Sequence, residues 1–375
     1  HSRGRGGNAS PAGRVMTGLR TAIGLMSGTS MDGIDAALLT SDGRGVARQG
    51  AALAMPYDRE MKAALRAVLG GRGEAATVAN VAEALTRAHT DVINKLLIKN
   101  NVTNDKIDII GFHGHTISHR PEQRQTCQIG DGALLAALTG IDVVDDFRTA
   151  DVTAGGQGAP LAPLYHAALA AALPKPLAVL NIGGVANVTW MGRNDDMLAF
   201  DTGPGNALID DWVRRCGKGE MDQGGRLAQA GQVDETALSL LLANSYFDQT
   251  PPKSLDRDDF TLPSAPDWST EDGAATLTAF TAQAVARARA HLPEAPMQWL
   301  VCGGGRHNPA LMAALAEILA VPVAPVETVG WRGDFLEAEA FAYLAIRHLD
   351  DLPLSLPGTT GVPEPLCGGR MNRAS

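Results

Sequence analysis

The chain has 375 residues, of which 45% are hydrophobic, 19% charged and 5% aromatic, with 42 Gly and 21 Pro. This length and composition exclude a small disulfide-stapled scaffold and a disordered chain, and they predict about two domains with separate cores. The formal net charge is −9 and no long run of like charge is present, so a nucleic-acid partner is disfavoured.

Cysteine usage and hydropathy indicate the compartment. The cysteines stand far apart and form no Cys-x-x-Cys pair, which predicts reduced thiols at Cys127, Cys216, Cys302 and Cys367. No window approaches the roughly 18 apolar residues of a membrane span, and the N-terminal stretch lacks the apolar core of a signal peptide. We therefore expect a cytoplasmic protein without a membrane partner.

In chain order, the first segment is a Gly-, Arg- and Ser-rich stretch, residues 1–20, which we interpret as a disordered or vector-derived tail. Apolar runs and helical spacing then alternate, as is typical of α/β layers. Helices are predicted over residues 78–96 and 311–319, the second after the cap pair Asn308 and Pro309. Strands are predicted over residues 21–26, 34–40, 107–112, 143–145, 177–182, 186–191, 198–201, 299–302 and 321–325.

Two segments resemble each other and indicate an internal duplication. Residues 23–40 read IGLMSGTSMDGIDAALLT and residues 179–190 read VLNIGGVANVTW, each a strand, a glycine-rich turn and a second strand. Small residues in such a hairpin let a ligand approach backbone N–H groups closely. One such turn is more often an ordinary hairpin, but two matching turns favour a ligand site.

The first of these turns, residues 27–35, combines groups suited to a phosphate and a divalent cation. Its glycines expose backbone donors, its hydroxyl groups add further donors, and its carboxylates would repel phosphate without a cation such as Mg²⁺. No Gly-Lys-Ser/Thr follows, so this is not a Walker loop, nor does it match the dinucleotide fingerprint. The residues concerned are Gly28, Thr29, Ser30, Asp32, Gly33 and Asp35.

Two later glycine turns add a base and a nucleoside slot. Asp201 ends a strand before the turn of FDTGPGN and is the best candidate for a catalytic base; its alternative role as a helix cap suits Asn206 better. The string CGGGRHN, residues 302–308, follows a strand and precedes a helix. Three glycines leave room for a flat base or ribose, whereas a tight turn needs about one.

Polar side chains also occur outside the glycine turns. Arg148 and Gln157 lie in the stretch 145–160 and suit a substrate carboxylate and amide contacts, although the stretch is equally read as a surface loop. His113, His115 and His119 have a spacing compatible with zinc, but no further ligand completes the set, so we favour hydrogen-bonding roles.

Glu337 has a structural explanation of its own. With Asp334 three residues earlier, it forms a pattern like a capping box at the start of a helix that runs to about His348. A functional role for Glu337 therefore needs support from outside the local pattern.

Several ordered strings resemble the anhydro-N-acetylmuramic acid kinases over nearly the whole chain, from about Ile23 to Pro365. They are GLMSGTSMDGID, GGQGAPLAP, NIGGVANVT, FDTGPGN, PPKS and CGGGRHN. The resemblance implies the sugar-kinase, heat-shock ATPase and actin superfamily: an α/β fold of two duplicated ribonuclease-H-like lobes with the active site in the interlobe cleft. We expect the N-terminal lobe over residues 21–150 plus about 350–375, and the C-terminal lobe over residues 151–349.

The resemblance also implies an activity in peptidoglycan recycling. An enzyme of this family uses ATP and Mg²⁺ to convert 1,6-anhydro-N-acetylmuramic acid and water into N-acetylmuramic acid 6-phosphate, as a cytoplasmic homodimer. In that reaction Asp201 takes a proton from water as it attacks the anomeric carbon, and the released bridging oxygen attacks the γ-phosphate. The alternatives are an actin-like, nucleotide-dependent regulatory ATPase and another small-sugar kinase.

Carried over residue by residue, the resemblance assigns four groups of positions. Catalysis falls to Asp201, Glu337 and Arg148. ATP and its phosphates are bound by Gly28, Thr29, Ser30, Met31, Asp32, Gly33, Ile34, Asp35, Asn181, Gly183, Gly184, Asn187, Gly203, Gly205, Asn206, Gly303, Gly304, Gly305 and Asn308. The sugar is contacted by His113, His115, Thr116, Arg148 and Gln157. Magnesium is held by Asp32 and Asp35, directly or through water.

Two departures from the family pattern stand out. Where relatives usually have Ser-His-Gly-Gln-Thr, this chain has FHGHT, so the imidazole of His115 replaces an amide. If His115 contacts the sugar, activity should respond more sharply to pH than in a relative with Gln. The PPKS string is followed by LDRDDF instead of a shorter run, while Lys253 and Ser254 are unchanged.

Overall fold

The computed structural model describes residues 18–28, 30–263 and 267–374, and these residues form two mixed β-sheets. Of the predicted tail, residues 1–17 lie outside the described residues, while Arg20 already begins a strand. The first sheet contains β1 (Arg20–Ser27), β2 (Gly33–Ser41), β3 (Val46–Pro56), β4 (Ile109–Arg120), β5 (Gln125–Ile129) and β6 (Val143–Asp145). The second contains β7 (Leu177–Ile182), β8 (Val185–Met191), β9 (Met197–Pro204), β10 (Gln298–Cys302) and β11 (Val323–Pro325). The last strand, β12 (Arg370–Asn372), returns to pair with β6 of the first sheet.

The two sheets repeat one topology, which confirms the predicted duplicated α/β lobes. In the first, β1, β2 and β3 form an antiparallel meander, and β4 and β6 add in parallel beside β1. In the second, β7, β8 and β9 form the meander, and β10 and β11 add in parallel beside β7. A parallel strand beside the first strand of a meander requires a crossover connection, which helices supply in both lobes.

The helices cover the sheets and largely follow the apolar spacing of the sequence. The predicted helix over residues 78–96 is the central part of a longer one, and the predicted second helix begins at Pro309 with the Asn308 side chain accepting a hydrogen bond from the Leu311 N–H at 3.1 Å. The helices are α1 (Arg59–Val68), α2 (Ala75–Lys99), α3 (Gly132–Thr139), α4 (Thr149–Thr153), α5 (Pro163–Leu169), α6 (Ala207–Arg215), α7 (Arg226–Ala230), α8 (Glu235–Leu242), α9 (Thr270–Ala288), α10 (Pro309–Leu319), α11 (Leu336–Leu349) and α12 (Pro357–Thr360).

All the predicted strands are present, and the predictions for β6 and β7 match at both ends. The strands β3, β5 and β12 were missed. β3 is a half-buried edge strand with a mixed burial pattern, and β5 and β12 alternate weakly or are very short. Such strands exist because a neighbouring strand offers hydrogen bonds, which a local pattern does not reveal.

Helix α11 packs across β1, β2 and β4 of the first sheet. The fit is close because the backbone of α11 lies against Gly24 of β1 and Gly111 of β4, where a Cβ atom would meet the carbonyl oxygens of Ala338 and Phe341. Residues 336–349 therefore pack on the first sheet, and the lobe boundary near residue 349 stays a prediction. Among the described residues, no helix is both long and apolar enough to cross a bilayer.

Candidate active site

A cavity of about 400 Å³ opens between the two sheets. Its walls include the β1–β2 turn, the end of β3, the start of α5, the end of β7, the turn after β10 and the start of α11, so segments far apart in the chain meet here. The lining residues that the sequence singled out are Gly28, Ser30, Asp32, Gly33, Asp35, Asn181, Gly183, Gly303, Gly304 and Glu337. Both glycine hairpins and the third glycine turn thus face one space.

The β1–β2 turn is a tight turn whose backbone faces the cavity. The Gly28 carbonyl accepts a hydrogen bond from the Met31 N–H at 3.0 Å, and Met31 adopts a positive φ of 57°. The Ile34 side chain is buried in the apolar core, and Met31 packs against the same core. A ligand contact by Ile34 is therefore limited to its backbone. The predicted phosphate ligand Thr29 lies outside the described residues.

The FDTGPGN turn supports the second hairpin from behind. The N–H groups of Gly205 and Asn206 donate to the carbonyls of Gly184 and Gly183 at 2.8 and 2.7 Å. The Asn206 amide donates to the Ile182 carbonyl at 3.2 Å, so Asn206 occupies the N-cap position of α6 without capping it through its side chain. Gly183 lines the cavity, whereas the predicted phosphate ligands Gly184, Gly205, Asn206, Gly203 and Asn187 do not. We assign them to shaping the hairpin.

In the turn after β10, the backbone of Gly303 lies directly against Asn181 and Ile182 at the end of β7. Gly303 has a φ of +73°, and a Cβ atom there would collide with the side chain of Asn181 and the Ile182 carbonyl. Gly305 is buried against Ile182, and Asn308 serves as the cap of α10. The predicted nucleotide contacts of Gly303 and Gly304 are compatible with this geometry, whereas Asn308 has a structural role.

Arg306, which the sequence analysis did not single out, organises the region before α11. Its side chain is 2% exposed and forms ion pairs with Glu327 at 2.9 Å and Asp334 at 2.7 Å. Asp334 is therefore engaged by Arg306, and α11 begins after Phe335 with no side-chain cap. The capping-box interpretation of Asp334 and Glu337 is wrong, which removes the purely local explanation of Glu337.

Carboxylates crowd one wall of the cavity. Burial raises the pKa of Asp35 to about 7, and repulsion from three neighbouring carboxylates adds to the shift. These neighbours are Glu337, Asp334 and Asp32, in order of decreasing effect. Among the described residues, no group of three or more His, Cys, Asp or Glu side chains has the arrangement of a metal site. Mg²⁺ usually keeps several waters and takes only one or two protein carboxylates, so Asp32 and Asp35 suffice for it.

Asp201 is a buried carboxylate held by backbone. Its side chain is 5% exposed, and its Oδ2 accepts a hydrogen bond from the Leu255 N–H at 2.7 Å. Burial raises the pKa of Asp201 to about 7, against the opposing effects of the Leu255 hydrogen bond and of Arg148. A carboxylate with a pKa near neutrality is suited to take a proton at physiological pH.

Arg148 brings the three predicted catalytic side chains into one electrostatic environment. Its Nε donates to His113 Nε2 at 3.1 Å and its Nη1 donates to the Gly158 carbonyl at 2.6 Å. The charges of Glu337 and Asp201 both act on Arg148, with Glu337 the stronger. Glu337 is solvent-exposed at the cavity, yet desolvation by the surrounding protein raises its pKa, and Arg148 partly opposes this shift.

A second cavity, of about 330 Å³, contains Gln157 and lies on the other side of this group. Gln157 accepts a hydrogen bond through Oε1 from the Ser254 hydroxyl at 2.8 Å, and its backbone carbonyl accepts one from His119 Nε2 at 2.8 Å. Asp259, which also lines this cavity, raises the pKa of Asp201 through its charge. Gln157 is thus close to the base but separate from the glycine-lined cavity.

The histidines have hydrogen-bonding roles and do not form a metal site. His113 Nδ1 bonds the Gly114 carbonyl at 2.9 Å, which leaves Nε2 to accept from Arg148. His115 is fully buried, with Nδ1 at 2.9 Å from the Ser27 hydroxyl, while its Nε2 has no hydrogen-bond partner among the described residues. A contact between His115 and the sugar stays a prediction. Thr116 accepts a hydrogen bond from Gln128 and does not line either cavity.

We expect His115→Gln to leave the shape of the pH–activity profile unchanged between about pH 6 and about pH 8. Burial lowers the pKa of His115 to about 4, so the imidazole is already neutral throughout that range, as an amide is. Initial rates of ADP release across the range test this. A titration step present only in the protein with His115 would instead place the imidazole at the substrate.

Comparisons with known proteins give matches over nearly the whole chain. The family model described as "Anhydro-N-acetylmuramic acid kinase" matches residues 20–372. The anhydro-N-acetylmuramic acid kinase of Rhodospirillum rubrum is 56% identical over 360 residues, which cover 95% of this chain and 95% of that protein. The one of Paramagnetospirillum magneticum is 54% identical, covering 93% and 98%. The one of Rhizorhabdus wittichii is 50% identical, covering 94% and 98%.

Proposed function

The chain belongs to the anhydro-N-acetylmuramic acid kinase family, and from this premise we propose how its residues carry out the reaction. The enzyme is an ATP-dependent kinase that converts 1,6-anhydro-N-acetylmuramic acid and water into N-acetylmuramic acid 6-phosphate in peptidoglycan recycling. The observation that carries the assignment of roles is the position of Asp201. Burial raises the pKa of its carboxylate to about 7, and the charges of Asp201 and Glu337 both act on Arg148.

Asp201 acts as the general base. It takes a proton from a water molecule while the water oxygen forms a bond to the anomeric carbon of the sugar. The bond between that carbon and the bridging oxygen breaks, and the oxygen, freed at C6, forms a bond to the γ-phosphorus as the bond to ADP breaks. One proton acceptor therefore serves ring opening and phosphoryl transfer.

Arg148 and Glu337 act on the sugar. Arg148 is held by His113 and Gly158, and its remaining guanidinium donors are available to orient the substrate carboxylate. Glu337 lies at the start of α11, where the cavity opens, and assists at the sugar. Gln157 and Ser254 line the adjoining cavity and supply amide and hydroxyl contacts.

ATP and Mg²⁺ occupy the glycine-lined cavity. Backbone N–H groups of the first hairpin, at Gly28 and Gly33, bind the phosphates. Gly183, whose N–H donates to the Val185 carbonyl at 3.1 Å, leaves room for the phosphates, and Gly303 and Gly304 leave room for the nucleoside. Asp32 and Asp35 hold Mg²⁺, which neutralises phosphate charge. The raised pKa of Asp35 fits this role, because a bound cation relieves the repulsion among the carboxylates.

We expect incubation with ATP, Mg²⁺ and the anhydro sugar in ¹⁸O-labelled water to place the label on the anomeric oxygen of the sugar and not in the phosphate. Attack by water on the anomeric carbon requires this outcome, and mass spectrometry of the 6-phosphate measures it. Label in the phosphate, or ADP release at the same rate without the sugar, would contradict the proposed reaction.

The homodimer and the cytoplasmic location belong to the same proposal. They are supported by family membership, and sedimentation analysis of the purified protein tests the first. A monomer at micromolar concentration would contradict it.

A further inference from the structure

Residues 251–255, PPKSL, form a segment that runs along the free edge of β9; we call it the strap. The strand β9 is at the end of the second sheet, so its outward backbone groups lack a neighbouring strand. The strap supplies one partner, because the Lys253 carbonyl accepts a hydrogen bond from the Asp201 N–H at 3.1 Å. The proposed reaction uses no residue of the strap except Ser254.

The strap also contacts the Asp201 carboxylate. The Leu255 N–H donates to Oδ2 at 2.7 Å, which engages one carboxylate oxygen. Among the described residues, no hydrogen bond to Oδ1 is formed, so Oδ1 is the oxygen available to a water molecule. Two residues of the strap thus fix both the backbone and the side-chain orientation of the base.

Tyr246 also contacts Asp201, through the backbone carbonyl of that residue. Its hydroxyl donates to the Asp201 carbonyl at 2.6 Å, and its ring is 6% exposed. Lys253 holds Tyr246 in place: its ammonium donates to the Tyr246 carbonyl at 3.0 Å and lies 4.5 Å from the centre of the ring. Asp201, Lys253 and Tyr246 therefore form a closed set of contacts.

The burial of Lys253 indicates that its side chain has a role beyond holding the strap in place. The side chain is 6% exposed, and its ammonium faces a carbonyl and two aromatic rings, of Tyr246 and Phe200. Burial lowers the pKa of Lys253 to about 8. The direct contacts of the ammonium are neutral, and the charge of Asp248 only partly opposes this shift. Burying this cation therefore costs free energy, which a functional constraint on its position would explain.

We propose that the strap and Tyr246 position the Asp201 carboxylate, with Tyr246 and Lys253 as positioning residues that act through Asp201. The inference rests on the role of Asp201 as the base under "Proposed function". The strap also borders the second cavity, where Ser254 donates to Gln157 at 2.8 Å. The orientation of the Asp201 carboxylate is thus linked to Gln157, which lines the second cavity.

Tyr246→Phe tests the proposal, because it removes the hydroxyl and keeps the ring on which Lys253 rests. We expect kcat to fall about tenfold, the effect of losing one buried hydrogen bond that orients a reacting group. The KM for ATP should stay unchanged. Without the Tyr246 hydroxyl, the backbone of Asp201 is held less firmly and the hydrogen bond from the Leu255 N–H to Oδ2 is loosened. That hydrogen bond lowers the pKa of Asp201, so its loosening raises this pKa. The acid limb of the pH–rate profile should therefore move to higher pH, while Arg148 and Asp259, the other charges that act on Asp201, stay in place.

Three comparisons complete the experiment. Lys253→Met should lower kcat in the same way, and Tyr343→Phe, which alters a buried tyrosine of α11, should leave kcat unchanged. In an Asp201→Asn background, Tyr246→Phe should cause no further loss, because Tyr246 acts only through the base.

Unchanged kcat and pH profile in both Tyr246→Phe and Lys253→Met, even with a lowered melting temperature, would overturn the proposal. So would a full additional loss in the Asp201→Asn background. A fully active Asp201→Asn enzyme would instead contradict the base itself, which separates failure of the proposed function from failure of the strap.

Discussion

Asp201→Asn is expected to lower kcat by about 10²- to 10⁴-fold, the range that a positioned general base contributes. The amide keeps the size of the carboxylate, and its oxygen still accepts the hydrogen bond from the Leu255 N–H. Only the ability to take a proton from water is lost. Nucleotide binding should be unaffected because Asp201 does not line the glycine-lined cavity. Steady-state rates and calorimetric titration with ATP measure the two quantities.

The pH profile gives the same variant a second, independent readout. A base works in its ionised form, and burial raises the pKa of Asp201 to about 7, so activity of the unaltered enzyme should fall as the pH decreases through about 7. The residual activity of Asp201→Asn should lack this acid limb. Asp195→Asn, in the exposed turn between β8 and β9, is the matched control and should keep both rate and profile. Full activity of Asp201→Asn would exclude Asp201 as the base.

Arg332→Met is expected to lower the free energy of unfolding by about 3–5 kcal/mol, the effect of leaving a buried charge without its partner. Glu339 is fully buried, and Arg332 binds one of its carboxylate oxygens through two guanidinium nitrogens. The other oxygen accepts hydrogen bonds from Gln49 at 2.8 Å and Tyr165 at 2.6 Å. The substitution keeps the apolar stem of Arg332 and removes the charge that compensates Glu339. Urea denaturation followed by circular dichroism measures the loss.

An exposed ion pair provides the control for this prediction. Arg193 pairs with Glu294 at 3.0 Å, with side chains 58% and 50% exposed, and Arg193→Met should cost less than about 1 kcal/mol. Adding Glu339→Gln to Arg332→Met should recover part of the stability, because the buried group is then neutral. Equal losses for the two arginine variants would show that Glu339 does not depend on Arg332.

The Glu339 cluster also connects stability with the active site. It joins β3, α5 and α11, and Glu337 precedes Glu339 by two residues on the same helix. On the other side of this region, Arg306 holds Asp334. The start of α11 is therefore fixed by two ionic clusters, which explains how Glu337 keeps its place at the cavity without a local cap.

The sequence was informative wherever structure depends on neighbours along the chain. The apolar runs of β6 and β7 and the cap of α10 were correct at their boundaries because strand propensity and capping are local. The repeated glycine hairpins indicated two lobes because a duplicated strand-turn-strand pattern survives in the residues themselves. Arg148, Asp201 and Glu337 were selected by motif and resemblance, and their joint electrostatic environment supports that selection.

The sequence was misleading where contacts join distant segments. Asp334 and Glu337 have the spacing of a capping box, yet a buried arginine 28 residues before Asp334 takes its carboxylate. The burial of His115 against Ser27 results from the β1–β4 pairing, which its local sequence does not indicate. Helix α11 follows the strands of the second sheet in the chain, yet Gly24 and Gly111 provide a surface on which it packs in the first sheet.

The family, the duplicated α/β lobes and the residues of the glycine turns follow from the chain alone, because periodicity, turn chemistry and ordered motifs are properties of short segments. Which of those residues face a common cavity, which are buried, and which are held by Arg306, by Arg332 or by the strap follows only from the folded molecule. These properties depend on packing between segments that lie up to several hundred residues apart. Burial then sets the pKa of Asp201, so the chemistry of the base is itself a consequence of the tertiary structure.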